Sequence, residues 1–185
     1  MRADHPPYRV GAVANYFLSA GKQHRVPVSH LKLQKLVSIA YGFYLAAYGE
    51  RLFKERIEAW DLGPVVPELY HEFKRFGYEP ITKRATSFDH HQGRFYTQNV
   101  VDPRGRAVLR FVWERYGRLT ASRLVQLTHA PGTPWQKARA AGRPKIDDND
   151  MREHYSDLAR RLQRQRARRG PATIGSGPRR RPSLG

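Results

Sequence analysis

Glu68 and Glu72 stand four residues apart in the stretch PELYHEF, with His71 between them. On a helix that spacing brings two carboxylates to one face, the arrangement that general acid–base catalysis needs. Acids in the first turns of a helix also complement its dipole, and Lys74 and Arg75 follow at once, so a solvated, charge-balanced surface accounts for the same residues. His71 and His129 fit hydrogen-bonded structural roles better than roles as bases. His90 and His91 are adjacent, but no Asp, Glu or His at helical metal spacing surrounds them, and a solvated turn is the better reading of the pair. The chain has no HExxH, GxSxG, Walker or GxGxxG pattern, and the GSG at 175–177 has the composition of a linker. The expectation is a protein with no catalytic residues, no metal and no cofactor.

Arginine offers a different chemistry. Nine arginines (Arg160, Arg161, Arg164, Arg166, Arg168, Arg169, Arg179, Arg180 and Arg181) and no acid lie in residues 160–185, so half of the net charge of +18 sits at that end. Such an end binds polyanions without sequence preference and in a salt-sensitive way, or simply solubilises the chain. It has no interleaved aromatics, so base stacking is not indicated. The segment YGRLTASRLVQLTH has the outline of a helix-turn-helix, yet Leu124, Val125 and Leu127 look like core where a recognition helix needs polar side chains.

The elements that position these groups are mainly helical. At 185 residues the chain is long enough for one domain with a real core. No apolar run is long enough to span a membrane, and the start lacks the features of a signal peptide. With no cysteine, disulfides and thiolate metal sites are excluded, and a cytoplasmic location is the simplest reading. Apolar spacing predicts a helix over 10–20 ended by Gly21, and a second over 30–48 capped by Ser29 and stopped by Gly49. The second carries Leu33, Leu36, Val37, Ala40, Tyr44 and Ala47 in rhythm, with Ile39, Tyr41, Phe43, Leu45 and Tyr48 on its flanks. A helix apolar around its circumference belongs at the centre of a bundle. Pro67 begins a third helix with Leu69, Tyr70, Phe73 and Phe76 inward and Gly77 as stop. Residues 86–101 read as a weak hairpin turning at DHHQG. A helix over 106–116 places Val108, Leu109, Phe111 and Val112 inward. Thr120 or Ser122 caps a short helix, Thr133-Pro134 starts another, and Asp147 and Asp148 open a last one with Met151, Tyr155, Leu158 and Leu162 in one stripe. The fold class is therefore mainly α, a single compact helical bundle with a small β element. It divides into a lead over 1–8, a folded domain over 9–159 and an Arg-rich tail over 160–185, disordered beyond 169.

The stretch IEAWDLGPVVPELYHEF, 57–73, is the stiffest part of the chain. Residues 57–60 read as extended, Gly63-Pro64 as a turn, and Pro67 as the first residue of the helix. The prolines set the angle between strand and helix, and Trp60 fills the elbow. A preorganised corner loses little entropy on docking, which suits a protein-binding surface made of Trp60, Asp61, Leu62, Gly63, Pro64, Pro67 and Tyr70. The competing reading makes Trp60, Pro64 and Tyr70 fold-defining core and puts the binding surface elsewhere.

Three segments in order, LKLQKLVSIAYGFYLAAYGERLF, IEAWDLGPVVPELYHEF and LTHAPGTPWQKAR, closely resemble the Panacea domain of SocA-like antitoxins. Its pattern of LxKLLY, EAWxxGPVxPxLY and LTHxxxPWxxA is met at Leu33, Lys35, Leu36, Tyr41, Trp60, Gly63, Pro64, Pro67, Tyr70, His129, Pro134 and Trp135, among others. Val37-Ser38-Ile39 and Asp61-Leu62 depart from it. The resemblance implies an antitoxin of a toxin–antitoxin pair, found also in phage settings, that neutralises a protein toxin by direct binding. The toxin is usually encoded by an adjacent gene, and some members act as adaptors for proteolysis. Leu33, Lys35, Leu36, Tyr41, His129, Pro134 and Trp135 are then motif residues with structural roles. The other function class is a nucleic-acid-binding regulator using the basic C-terminal end.

Overall fold

In the computed structural model, residues 6–89, 93–100 and 102–169 are described. Ser29 accepts a hydrogen bond from the Lys32 N–H and starts α2 (His30–Tyr48), and Gly49, at φ +70°, ends it. Residues 32–45 of α2 are all buried, so this helix is the axis of the bundle. Around it pack α1 (Val10–Gln23), α3 (Pro67–Phe73, extended by a 3-10 turn over Lys74–Phe76), α4 (Pro103–Tyr116), α5 (Ala121–His129) and α7 (Asp148–Arg169). The short α6 (Pro134–Ala140) bridges α5 and α7. Leu33, Leu36 and Tyr44 of α2, Phe17 of α1, Leu109 of α4 and Leu124 of α5 are fully shielded in the core.

Two antiparallel strand pairs complete the described fold. In the first, β1 (Glu58–Trp60) pairs with β2 (Gly63–Val65) in the register Glu58↔Val65, Ala59↔Pro64 and Trp60↔Gly63. In the second, β3 (Ser87–Asp89) pairs with β4 (Arg94–Tyr96). Buried Asn15 of α1 moors that arm: its amide nitrogen donates to the carbonyls of Ala85 (3.0 Å) and Gln98 (3.1 Å), and its oxygen accepts from the Ala85 N–H (2.8 Å). The expected turn at His90 and His91 lies outside the described residues, as does the stretch beyond 169.

Several local expectations need correction. Gly21 does not end α1, which continues to Gln23. A Cβ there would come within 2.7 Å of Val28 and 2.8 Å of the Val26 carbonyl, so Gly21 is a close-packing point. Helix α4 begins at Pro103, three residues earlier than the apolar stripe indicates, because Asp102 caps it by accepting from the Gly105 N–H (2.9 Å) and Pro103 supplies the first helical φ. Gly63-Pro64 is not the turn of the corner: it belongs to β2, and the two-residue loop is Asp61-Leu62. Pro64 fits a strand here because β2 is the outer edge of its pair and needs no N–H at that position. Ala47, Phe111 and Leu127 were expected inward and are exposed. Arg160 and the arginines up to 168 lie on the last turns of α7 rather than on a separate segment. Among the described residues, no helix is long and apolar enough to cross a membrane.

Candidate partner-binding site

The corner is built on two polar side chains of the central helix. Gln34, 1% exposed, grips the backbone of a single residue: its oxygen accepts from the Val66 N–H (2.9 Å) and its nitrogen donates to the Val66 carbonyl (3.3 Å). Beside it the Lys35 ammonium donates to the Pro64 carbonyl (3.0 Å) from a fully buried position. Among the described residues no carboxylate pairs with it, and burial pushes the Lys35 pKa down to about 7. On its outer side 64–66 has no ladder, and side chains from α2 bond the Pro64 carbonyl and both groups of Val66, whose carbonyl also accepts from the Tyr70 N–H (2.9 Å).

From the other flank, β1 is fastened to the segment before α7. The Ala59 N–H donates to the Pro144 carbonyl (2.8 Å), and the Ile146 N–H to the Ile57 carbonyl (2.9 Å). Helices α5 and α6 add a third support. The side chain of Thr133 accepts from the Gln136 N–H and starts α6 with Pro134 at its first turn. That start orients Trp135, whose ring stacks on His129 at 3.7 Å and 8° and whose Nε1 donates to the Trp60 carbonyl (2.8 Å). Burial first, and the Lys35 charge second, lower the pKa of His129. Its Nε2 is buried and has no hydrogen-bond partner among the described residues.

Gly63 explains why this packing tolerates no side chain. Its φ is +102°, and a Cβ would lie 2.7 Å from Lys35 Nζ and 3.1 Å from His129 Nε2. The positive φ at the residue after a two-residue loop closes the hairpin. Lysine, histidine and glycine of three separate sequence motifs therefore meet at one point.

On the outer side, Leu62 at the tip is 60% exposed. Trp60 and Tyr70 are half-buried and pack on each other with ring centroids 4.9 Å apart. Trp60 Nε1 donates to Glu58 (2.8 Å), a hydrogen bond that holds the Glu58 carboxyl below its ordinary pKa together with nearby Arg56. Asp61 pairs with Arg139 of α6 (2.9 Å), which also donates to the Ala59 carbonyl (3.3 Å). Pro67 is half-buried, whereas Gly63 and Pro64 are buried. The expected surface thus divides: Trp60, Asp61, Leu62, Pro67 and Tyr70 reach solvent, and Gly63 and Pro64 are its foundation.

Gln34 and Arg139 were missed by sequence reasoning. A glutamine between two apolar stretches of a helix buried on all sides was the available signal for the first. The other motif residues are distributed as follows. Leu33 and Leu36 are core, and Tyr41 donates from its hydroxyl to Asp148 (2.7 Å), which pins the start of α7. Glu68 and Glu72 are both exposed on α3, and neither has a hydrogen bond to a histidine among the described residues. Of the arginine set, Arg160 and Arg161 pair with Asp157 at 3.7 and 2.5 Å, and Arg164, Arg166 and Arg168 are exposed. The backbone of Arg169 ends α7, and Arg179, Arg180 and Arg181 lie outside the described residues.

Residues 33–136 match the family model described as "Antitoxin SocA-like, Panacea domain". The chain is also 37% identical over 127 residues to "Antitoxin SocA" of Caulobacter vibrioides (strain NA1000 / CB15N), a match covering 67% of this chain. It spans 66% of the length of that curated relative. No solved structure matches. With the LQKL, AWDLGPV and LTH…TPW segments folded around one hairpin and the family model covering over half of the chain, this protein belongs to the SocA-like, Panacea-domain family of antitoxins.

Proposed function

We propose that this protein is the antitoxin of a toxin–antitoxin pair, and that it neutralises a protein toxin in the cytoplasm by stoichiometric binding. The outer side of the β1–β2 corner is the contact. Family membership supports the antitoxin role. The observation that carries the choice of surface is Leu62, 60% exposed at the tip of a hairpin whose backbone is held on every side. An exposed leucine flanked by half-buried Trp60 and Tyr70 and by the Asp61–Arg139 pair has the make-up of a binding hot spot: an apolar centre, aromatic neighbours and a polar rim. Rigidity matters because a preformed surface does not have to be ordered on docking. The protein works by binding rather than by turnover.

The toxin is the product of a neighbouring gene. The test is induction of that gene in a heterologous bacterium with and without this protein. Wild type restores growth, and purified complex forms at a one-to-one ratio. Leu62→Glu, a substitution at an exposed site, folds normally and fails to rescue. If Leu62→Glu rescues as well as wild type, the contact lies elsewhere on the molecule. If the neighbour is toxic and wild type gives no rescue, the pairing itself is wrong. Loss of toxin protein in the rescued cells, reversed in a protease-deficient strain, marks an adaptor for proteolysis in place of simple occlusion.

A further inference from the structure

A second surface lies at the far end of α2. The C-terminal turns of α2, the middle of α4 and the outer half of α7 enclose a groove of about 830 Å³. Its floor is apolar, made of Phe43, Val108, Phe111, Ala159 and Leu162. Phe111 is 38% exposed although it meets Phe43 edge-on at 5.0 Å, so an apolar side chain can enter beside it. The rim carries Arg115, Arg160 and Arg166, and among the described residues no acid lines the groove. The nearest acid on α7 is Asp157, already engaged by Arg161 at 2.5 Å and approached by Arg160 at 3.7 Å. Ser156 and Arg166 bound the groove along α7, a run of about 15 Å at 1.5 Å per residue, which is roughly three helical turns.

We propose that this groove docks an acidic amphipathic helix of a partner protein, its apolar stripe on the Phe43–Phe111 floor and its carboxylates on Arg115, Arg160 and Arg166. Charge complementarity selects the occupant. The chain's own end, 170–185, has three arginines and no acid, and would set like charge against the rim. A second copy would meet the same basic rim in an isologous contact. Nucleic acid would satisfy the arginines but leave the apolar floor uncovered. A helix with Leu-type anchors on one face and Glu or Asp beside them satisfies both parts, and Arg holds carboxylates in a fixed fork. The groove is at Phe43 and Ala47 of α2, and the corner at Gln34 and Lys35, so this docking does not depend on what the corner binds.

A display library of helical peptides, selected on the full-length chain, tests the proposal, with affinities read by fluorescence anisotropy near physiological salt. The expected winners are amphipathic and acidic. Their affinity falls roughly tenfold or more in Arg160→Glu/Arg166→Glu, where like charges oppose. Ala107→Glu, at the exposed lip of the groove, abolishes binding, and Leu62→Glu leaves it intact. The proposal is overturned by an absence of groove-dependent peptides, or by winners that are neutral or basic. Peptide binding that appears only after removal of 170–185 would assign the groove to the chain's own end and overturn it too. Duplex DNA that binds through Arg160 and Arg166 at the same salt, with no effect of Ala107→Glu, would assign the arginines to nucleic acid and equally overturn it.

Discussion

Lys35 is the residue on which the interior chemistry turns. A buried amine bonded to a carbonyl, with no acid beside it among the described residues, is an unusual element of a core, and its folded pKa, about 7, lies well below the ordinary 10.5. The unfolded chain therefore binds more protons between those values, and stability rises with pH through that window. The gain is complete above pH ~10.5 and absent below pH ~7, with a ceiling of roughly a few kcal/mol. Denaturant titrations of wild type and Lys35→Met at pH 7, 8, 9 and 10 check this: the difference between them should shift steadily in favour of wild type as pH rises. A flat difference would mean the amine is hydrated in solution. Gly63→Ala addresses the same point sterically. At φ +102°, with Lys35 Nζ 2.7 Å from the new methyl, it should cost about 2 kcal/mol or more, read as a lower denaturation midpoint at unchanged slope.

At the scale of elements, the corner is held by side chains where a larger sheet would use a ladder. Gln34 accepts from the Val66 N–H, whereas the Val66 carbonyl also accepts from the Tyr70 N–H (2.9 Å), so Gln34→Leu leaves a buried N–H unpaired and should cost roughly 1–3 kcal/mol. Backbone amide exchange should quicken at Val66 and along β2 before it quickens in α2. The crossing of α2 and α7 has a comparable weak point. Gly42 leaves room for the ring of Tyr155, which a Cβ would meet at 2.1 Å. Gly42→Ala should therefore lower stability by about 1–3 kcal/mol and move α7, distorting the groove while the corner stays intact. Circular-dichroism melting, with rescue of growth measured beside it, separates the two effects.

For the whole molecule, the net charge of +18 is the dominant long-range feature, and half of it belongs to 160–185. Low-salt retention on duplex DNA is expected from that charge alone, and it should fade as salt approaches the physiological range. Replacing Arg164, Arg166 and Arg168 with Gln should make the protein elute earlier and flatten the log–log salt slope by about 0.9 for each phosphate that is no longer neutralised. A DNA affinity that persists at physiological salt would instead favour the regulator reading of the basic end.

Much of the fold was legible because its signals are local. Ser29 and Gly49 bracket α2, Pro67 and Thr133-Pro134 start their helices, and an all-round apolar pattern marked α2 as central. Local signals also compete: the apolar stripe of 106–116 drew the start of α4 away from the Asp102-Pro103 cap, and Gly-Pro read as a turn although the loop is Asp61-Leu62. Side-chain period says which face of a helix points inward, but not how far a neighbour extends over it. That is why Phe111 and Leu127 come out exposed. Composition and motif order determined the family, the mainly helical class and the stiff corner. Only the tertiary structure decided that Gln34, Lys35, His129 and Trp135 all support one hairpin, because those interactions join residues that spacing along the chain cannot relate. The same holds for the apolar groove, whose three walls come from helices far apart in the chain and whose basic rim exists only once α7 lies back across α2 and α4.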